Sequence, residues 1–463
     1  MFETVVRLLS APLLLLALPL TVAGCGSDSE STSGTGGGND GPGAGGAAGG
    51  PGAVSGWDWN GIIGTGQSLA VGTTPVTSDT QPYGNLKLSL GSSTVPPFDP
   101  DSGELSMVPL VEPIRPPGSG FPRPYPDNIW GETPHSAMAN QITALVQAEP
   151  GGDYVSVHSV VGESGQGMSE IEKGAVDTGT TGRAYAASLF EVEAISRLAA
   201  ESEHTYGVGA VVLTHGETDA GNGTYDDQIV QMWSDYNADI SALTGQTRSI
   251  PLLVSQQHSY PTTAGTRSVA TQIQWELGLQ HPGDVVCTGP KYQYEGDDDG
   301  IHLTSRGYRQ LGEKLGQIYY QLVVLGQEWQ PLQPVGVARD GTRTIVVTFH
   351  VPVPPLIWND DLPSPHQEYL SEWALGRGFE VRARATEYTI TSVEIVGDTV
   401  EITCDSDLPE SDLMVGYAVT SDGTPMAGGS HRWGHLRDSD PLVGLSTGDP
   451  LPNYAVAFEM PVP

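Results

Sequence analysis

The sequence predicts a doubly wound α/β domain built on a parallel sheet, followed by a smaller antiparallel β-sandwich. Short apolar runs alternate with helical patterns between Trp57 and Gly326. Those runs are almost continuously apolar, which is typical of parallel strands buried on both faces. From about Pro331 the pattern changes to alternating apolar and polar positions rich in β-branched residues, which is typical of half-buried antiparallel strands.

The α/β domain is predicted over residues 57–328. Its strands are predicted at 59–66, 153–161, 207–215, 249–256 and 283–289, and its helices at 136–148, 184–202, 225–245, 266–279 and 304–326. Ligands of such sheets bind beyond the carboxyl ends of the strands, so we expect the site there. Residues 92–128 are rich in Pro and Gly, and we expect this long excursion to form a wall of the site.

The β-sandwich is predicted over residues 331–438. Its strands are predicted within 342–351, 378–385, 388–404 and 412–420, the third range folding back at a Gly-Asp turn. The Pro-rich residues 439–463 are set apart as a C-terminal extension.

The first 25 residues have the pattern of an export signal. Arg7 precedes an apolar run, and "VAGC" at 22–25 resembles a bacterial lipobox, which implies lipidation of Cys25. An ordinary secretory signal is the alternative. Residues 26–56 are rich in Gly and Ser and predict a flexible linker. We therefore expect an exported protein, anchored by lipid to a bacterial membrane on its periplasmic or cell-surface side.

Charge restricts the possible partners. The chain has 20 Lys and Arg against 55 Asp and Glu, a formal net charge of −35. This field repels nucleic acids and anionic lipid head groups, so we expect no nucleic-acid partner and membrane attachment only through the lipid. Besides Cys25 there are Cys287 and Cys404, which we expect as buried thiols, although a disulfide between them stays possible. The sequence has no cysteine–histidine cluster with zinc-ligand spacing, and we expect no metal site.

Three polar segments fall at strand ends or just before a helix, and together they suggest nucleophilic catalysis. Ser68 follows the first predicted strand, 214–224 follows the third, and 297–315 precedes the last helix. A nucleophilic serine needs a base for its proton and an acid that orients the base. Asp299 and His302 are three residues apart and can meet in one turn, which leaves the far imidazole nitrogen for Ser68.

These segments carry a family resemblance. "GQSLAVG" (66–72), "HGETD" (215–219) and "DGIHLTSRGYRQLG" (299–312), in this order, resemble the SGNH (GDSL-like) hydrolase superfamily, and most closely its sialate O-acetylesterase-like branch of carbohydrate esterases. The resemblance covers about residues 57–328. It implies a flavodoxin-like fold, no cofactor and an acetylated carbohydrate as substrate. It also implies Ser68 as nucleophile, His302 as general base and Asp299 as the acid that orients it.

The same resemblance implies an oxyanion hole. The backbone amides of Ser68 and Gly162 are the implied main-chain donors. The branch usually adds a side-chain donor, an asparagine or glutamine, at the positions that His215 and Thr218 occupy here. Of these two we expect His215 to donate from a ring nitrogen.

Three further residues are expected to support the site loops. Gln67 precedes the serine, and Glu217 and Asp219 belong to the "HGETD" segment. A glycosidase-like acid–base pair is one interpretation of the two carboxylates. We favour a structural role, in which they accept backbone amides and anchor the loop.

The sequence thus predicts a carboxylic ester hydrolase, a carbohydrate O-acetylesterase that works through an acyl-enzyme on a neutral glycan. One alternative is a lipase or esterase of broader acyl specificity. Another is a non-catalytic carbohydrate-binding surface lipoprotein. "GQSLA" also nearly fits the nucleophile elbow of α/β-hydrolases, but in that fold a block of sheet precedes the serine, and here only signal and linker do.

Overall fold

The computed structural model describes residues 56–72, 75–92, 98–115, 125–126, 131–176, 183–365, 370–426 and 429–463. All of these fall in one compact unit, Pro51–Pro463. The predicted signal segment with Cys25 and the linker up to residue 55 lie outside the described residues, as do parts of 92–128. Within the described part of the chain, no helix combines the length and apolarity that a membrane crossing requires.

A seven-stranded sheet forms the first half of the unit. Its strands are β1 (Trp59–Gly66), β2 (Leu86–Ser89), β3 (Ser106–Pro109), β4 (Val155–Val160), β5 (Tyr206–Thr214), β6 (Leu252–Gln256) and β7 (Val285–Pro290). The order across the sheet is β3-β2-β4-β1-β5-β6-β7, and every pair is parallel except β2 with β3. The run β4-β1-β5-β6-β7 has flavodoxin-like topology, so β1 lies where the strand order reverses. The predicted doubly wound fold is confirmed.

The two strands at the β3 end of the sheet, β3 and β2, differ from the expectation. β2 was not predicted, and β3 lies inside the segment 92–128 that was expected to form a wall of the site. Two strands separate β3 from β1. Each of these two strands has four residues, and β3 has no buried position, so neither carries the apolar run that identifies a buried strand.

Seven helices are described. They are α1 (Ser68–Val71), α2 (Pro134–Gln147), α3 (Met168–Ile171), α4 (Ala184–Glu201), α5 (Tyr225–Thr244), α6 (Val269–Gln280) and α7 (Ser305–Tyr319). Side chains of α2 and α7 pack on one face of the sheet, and those of α4 and α5 pack on the other. Caps set the starts: Thr133 accepts the His135 amide before α2, and Ser268 accepts the Thr271 amide before α6. A π-helical turn, Tyr320–Val324, follows α7.

The second half of the unit is the predicted antiparallel β-sandwich. Its strands are β8 (Gln333–Asp340), β9 (Thr344–His350), β10 (Ile357–Trp358), β11 (Phe379–Ala383), β12 (Thr386–Glu387), β13 (Ile390–Val396), β14 (Thr399–Cys404), β15 (Leu413–Tyr417), β16 (Leu436–Arg437) and β17 (Phe458–Pro461), with a 3₁₀ turn at Ser371–Trp373. One sheet has the order β12-β11-β15-β17 and the other β13-β14-β9-β8, with β10 and β16 as a separate pair. Every second residue of β9 and β14 is buried, as the alternation predicted.

Residues 439–463, set apart as an extension, are part of this packing. β17 pairs with β15, and Phe458 is fully buried in the sandwich core. The Gln256 side chain at the end of β6 bonds both the amide and the carbonyl of Ala457. Prolines and the short strand length hid this element, but the segment joins the two halves. Cys287 on β7 and Cys404 on β14 are both buried and unpaired.

Candidate active site

Ser68 lies immediately beyond the carboxyl end of β1, at the point where the strand order reverses. Gly66 makes this turn possible: its φ is +131°, and a Cβ there would lie 2.1 Å from the Thr214 carbonyl oxygen of the neighbouring strand β5. The close approach brings the Gln67 amide to the same carbonyl oxygen at 3.2 Å. Ser68 then opens the short helix α1 with 9% of its surface exposed.

The candidate base, His302, and the candidate acid, Asp299, come from one turn before α7. Asp299 accepts the amides of Ile301 and His302 on one carboxylate oxygen, at 2.8 and 2.9 Å. Gly300 has φ +75°, a left-handed conformation that glycine adopts without strain. The turn is closed by the Asp297 amide, which donates to the His302 carbonyl at 2.7 Å. The sequence "DGIH" thereby places the imidazole beside the carboxylate without any long-range contact.

The three side chains form a continuous hydrogen-bonded chain. His302 Nε2 lies 2.7 Å from Ser68 Oγ, and His302 Nδ1 lies 2.5 Å from the second oxygen of Asp299. Burial acts to raise the pKa of Asp299, but hydrogen bonds from the His302 side chain and from the amides of His302 and Ile301 outweigh it and hold this pKa below its usual value. The ionised carboxylate fixes the proton on Nδ1 and leaves Nε2 as an acceptor for the serine proton.

Gly162, an expected oxyanion donor, lies against the serine turn. A Cβ at this position would lie 2.7 Å from the Gly66 carbonyl oxygen and 3.0 Å from the Val71 side chain. The amides of Val161 and Glu163, on either side of it, donate to carbonyls of β1 at Gly64 and Gly66. The loop after β4 therefore runs directly beside the loop that carries Ser68.

His215 is not placed to donate to an oxyanion, contrary to our expectation. The ring is fully buried, with Nε2 donating to the Gln166 carbonyl at 3.1 Å and Nδ1 accepting the Tyr225 hydroxyl at 2.9 Å. Burial lowers its pKa, so the ring is neutral and its single N–H is already used. The imidazole instead ties the loop after β5 to the loop after β4 and to α5.

Thr218 is exposed, and its backbone holds the serine loop. Its amide donates to the side-chain oxygen of the buried Gln67 at 3.2 Å. Gln67 therefore bonds β5 through its main chain, at Thr214, and the loop after β5 through its side chain. It lies directly before the nucleophile candidate and acts as a clamp between these two segments.

The two carboxylates of "HGETD" have different partners. Asp219 accepts the Met168 amide at 2.8 Å, which links the loop after β5 to the start of α3. Glu217 is almost fully buried, and one of its oxygens lies 3.3 Å from the Lys291 ammonium, while the other has no hydrogen-bond partner among the described residues. The expectation that Glu217 accepts a backbone amide is therefore wrong, because a buried lysine takes that place.

Sequence reasoning missed the polar cluster around this ion pair. His258 and Lys291 follow the carboxyl ends of β6 and β7, and both are buried. Burial, with the nearby Lys291, Arg432 and His431, lowers the pKa of His258 well below its usual value. Their place in the sequence was the signal that could have identified them. A charged or imidazole side chain one or two residues after a buried strand of a parallel sheet lies on the edge where ligands bind.

A segment of the second half of the chain lies against the Asp299 turn. A Cβ at Gly300 would lie 3.4 Å from His431 Nε2, and a Cβ at Gly429 would lie 3.2 Å from the Asp297 carbonyl oxygen. Ser430 donates to the Tyr292 carbonyl at 2.9 Å, and so fixes this segment on the loop after β7. The sandwich side of the molecule therefore contributes to the surroundings of the candidate acid and base.

Metal ligands are the remaining question at this site. Among the described residues, no group of three or more His, Cys, Asp and Glu side chains is arranged to hold a metal ion.

Comparison with known proteins identifies the fold. No family model matches the chain, and no curated protein matches it. It is similar to the solved structure of a carbohydrate acetylesterase from Xanthomonas citri, at 13% identity and a TM-score of 0.54, over 87% of this chain and 80% of that one. A weaker likeness is to NanS, at 12% identity and a TM-score of 0.40, over 57% of this chain and 97% of that one. Another is to Est24, a carbohydrate acetylesterase from Sinorhizobium meliloti, at 13% identity and a TM-score of 0.27, over 57% of this chain and 99% of that one. The Xanthomonas likeness establishes a shared fold that extends over both halves of the described chain.

Proposed function

We propose that this protein is a serine carboxylic ester hydrolase that removes O-acetyl groups from carbohydrate. The observation that carries the proposal is the hydrogen-bonded chain from Ser68 Oγ through both nitrogens of His302 to Asp299, at 2.7 and 2.5 Å. Three residue types that acyl transfer needs meet at the edge of the sheet where ligands of this fold bind.

The geometry supports a two-step mechanism. In the first step Ser68 Oγ attacks the ester carbonyl while its proton passes to His302 Nε2. The tetrahedral intermediate collapses as His302 returns that proton to the departing sugar oxygen, which leaves acetyl-Ser68. In the second step His302 takes a proton from water, the resulting hydroxide attacks the acetyl group, and acetate is released with the proton back on Ser68.

The proposed substrate is an acetyl ester on a neutral glycan. The Xanthomonas protein that shares this fold is described as a carbohydrate acetylesterase, and the sequence motifs resemble the same class of enzymes. The net charge of −35 disfavours a polyanionic substrate. Acetate release from acetylated xylan, acetylated pectin and O-acetylated sialosides ranks these substrates, and we expect the neutral xylan to be turned over best.

The first prediction concerns the nucleophile. Ser68→Ala should lower kcat for p-nitrophenyl acetate by roughly 10³-fold or more, because it removes the attacking oxygen and leaves the fold intact. Rates of p-nitrophenol release and circular dichroism of both proteins measure this. Ser169→Ala is the matched control, since Ser169 is an exposed serine in the adjacent helix α3 and should keep the full rate.

Equal and background-level rates for the wild type and Ser68→Ala would overturn the proposal. That result would favour the alternative of a non-catalytic carbohydrate-binding protein. The structure agrees with this alternative at one point, because the His215 ring has no N–H left to donate to an oxyanion. Comparable rates on butyrate and longer acyl esters would instead favour an esterase of broader acyl specificity.

We further propose that the protein is exported and anchored through lipid on Cys25. The support is the sequence alone: an apolar run after Arg7, "VAGC" at 22–25 and a Gly-rich linker. When the protein is expressed in a bacterial host with radiolabelled palmitate, the wild type should carry the label and be found in the membrane fraction. The Cys25→Ser variant should carry no label and should not be cleaved before residue 25. A wild type that is exported without label would show an ordinary secretory signal.

A further inference from the structure

A groove runs across the junction between the two halves of the molecule, centred on Trp329. Its largest cavity, of about 430 Å³, is bounded by the end of α6, the first residues of β7 and the linker that follows the π-helical turn. A second cavity, of about 200 Å³, also has Trp329 in its wall. We define the Trp329 groove by the residues Gln317, Gln321, Gln327, Trp329, Gln330 and Asn453. Its main cavity falls within the size range of small-molecule sites, which concentrate at such junctions.

The Trp329 groove lies away from the candidate active site. It borders Val285 at the start of β7, whereas Ser68 follows the carboxyl end of β1. In a parallel sheet these are opposite edges, separated by the length of a strand, about 20 Å for six residues. A ligand in the groove is therefore not the ester that Ser68 would attack.

The lining of the groove is suited to an uncharged, hydroxyl-rich ligand. Glycine, proline and aliphatic residues form most of the main cavity's wall, and carboxamides are the most frequent of the polar side chains that line the groove. A carboxamide both donates and accepts, as a sugar hydroxyl does. Asp440 in its wall is paired with the buried Lys314 at 3.3 Å, and the other carboxylate in the wall, Glu328, opposes an anion. Trp329 is half-buried with its Nε1 donating to the Cys287 carbonyl at 3.3 Å, so the indole is held in one orientation.

We propose that the Trp329 groove is a secondary binding site for a neutral oligosaccharide chain. The indole ring packs on the C–H face of a sugar, and the side chains of Gln327 and Gln330, both exposed beside it, bond the hydroxyls. The choice of ligand rests on the proposed function: the groove holds the polysaccharide backbone while the ester is cleaved at the opposite edge of the sheet. The site needs no acetyl group on its ligand.

The experiment measures binding without turnover. The full-length chain carrying Ser68→Ala is titrated with unacetylated xylo- and manno-oligosaccharides by calorimetry, and run through gels containing the corresponding unacetylated polysaccharides. On this background Trp329→Ala should weaken binding at least tenfold and Gln330→Ala about threefold. Trp358→Ala, at a half-buried tryptophan of β10 outside the groove, should leave binding unchanged. On the Ser68 background, Trp329→Ala should keep the p-nitrophenyl acetate rate.

The outcomes separate this inference from the proposed function. Lack of binding to every neutral oligosaccharide and polysaccharide overturns the groove, as does full binding by Trp329→Ala and Gln330→Ala. If Trp329→Ala fails to fold, by circular dichroism, the exposed Gln330 decides the question. Absence of p-nitrophenyl acetate turnover with glycan binding that depends on Trp329 would refute the esterase and leave the groove standing.

Discussion

The Glu217–Lys291 ion pair has consequences for both stability and site geometry. Both side chains are almost fully buried at the carboxyl edge of the sheet, 3.3 Å apart. A buried charge is tolerated only with its partner, so removing one member costs far more than removing both. Because Glu217 follows β5 and Lys291 follows β7, the pair also fixes two site loops relative to each other.

The second prediction tests this pair. Lys291→Met should lower the free energy of unfolding by about 3–5 kcal/mol, because it leaves the Glu217 carboxylate buried without a cation. The double variant with Glu217→Gln should recover most of that loss. Urea unfolding followed by fluorescence measures all three proteins. Arg343→Met, which breaks the exposed pair with Asp407, should cost less than about 1 kcal/mol. A loss for Lys291→Met as small as that of Arg343→Met would show that the Glu217–Lys291 pair is not a buried ion pair.

At the residue scale, the sequence predicted which side chains lie together where the spacing is local, while their catalytic roles stay a prediction. Asp299 and His302 could be paired from a three-residue spacing, and Ser68 from its place at a strand end. The His215 expectation was wrong because nothing in the sequence shows that Gln166 and Tyr225, 49 and 10 residues away, take both ring nitrogens. Roles that depend on a distant partner are not readable from the segment that carries the residue.

At the scale of elements, β1 is the part of the fold on which the candidate site depends most. It lies between β4 and β5, and the Gly66 turn at its end sets the position of Ser68 relative to the imidazole. Any residue larger than glycine at position 66 would lack space for its side chain, since the Thr214 carbonyl occupies that space. Any displacement of the turn therefore acts directly on the distance between Ser68 Oγ and His302 Nε2.

The third prediction is that Gly66→Ala damages stability and activity together. The added Cβ would lie 2.1 Å from a backbone oxygen at a left-handed φ, so β1 and β5 must separate; we expect a loss of about 3 kcal/mol and a large fall in turnover of p-nitrophenyl acetate. Thermal unfolding and the esterase assay measure both effects. Gly221→Ala, with no atom within 4 Å of the new Cβ, is the control and should behave as wild type. An active, stable Gly66→Ala protein would show that the turn can relax.

Most of the fold could be predicted at the scale of elements, for physical reasons. Long apolar strands and capped helices of the α/β half carry their own signal, so predicted and observed limits differ by a few residues. Six strands of two to four residues were missed because they are stabilised by the strand beside them: β2, β3, β10, β12, β16 and β17. The eight-residue strand β8 was missed as well, since only its first two residues are buried. Their formation depends on tertiary pairing, which a short local window does not contain.

At the scale of the whole molecule, buried histidines link stability to pH. Burial lowers the pKa of His135 to about 3, and burial together with neighbouring charges lowers those of His158 and His258 well below the usual value. The unfolded chain then binds more protons than the folded one below about pH 6.5. The stability that comes from keeping these three histidines uncharged is fully present above that pH and is lost as the pH falls below it. Glu112 acts in the opposite direction, because burial raises its pKa to about 7.

The fourth prediction is a fall in unfolding free energy on acidification. Between pH 7 and pH 5, each of the three histidines should lower the free energy of unfolding by about 2 kcal/mol. Protonation of Glu112 should raise it by about as much as one histidine lowers it. Urea unfolding at half-unit pH intervals measures the slope. His135→Gln should make the slope shallower, whereas His204→Gln, at an exposed position, should not change it. A stability independent of pH over this range would show that these rings are protonated in the folded protein.

The contacts across the junction decide how far the chain can be shortened. Trp275, Cys287 and Tyr292 belong to the α/β half by sequence, yet they sit in the apolar cluster of the sandwich. Glu313 of α7, fully buried, accepts the amides and hydroxyls of Ser446 and Thr447. A fragment ending near residue 328 would expose this apolar surface to water and leave a buried carboxylate without donors. A shortened chain that kept only the α/β half would need this surface redesigned before it could fold on its own.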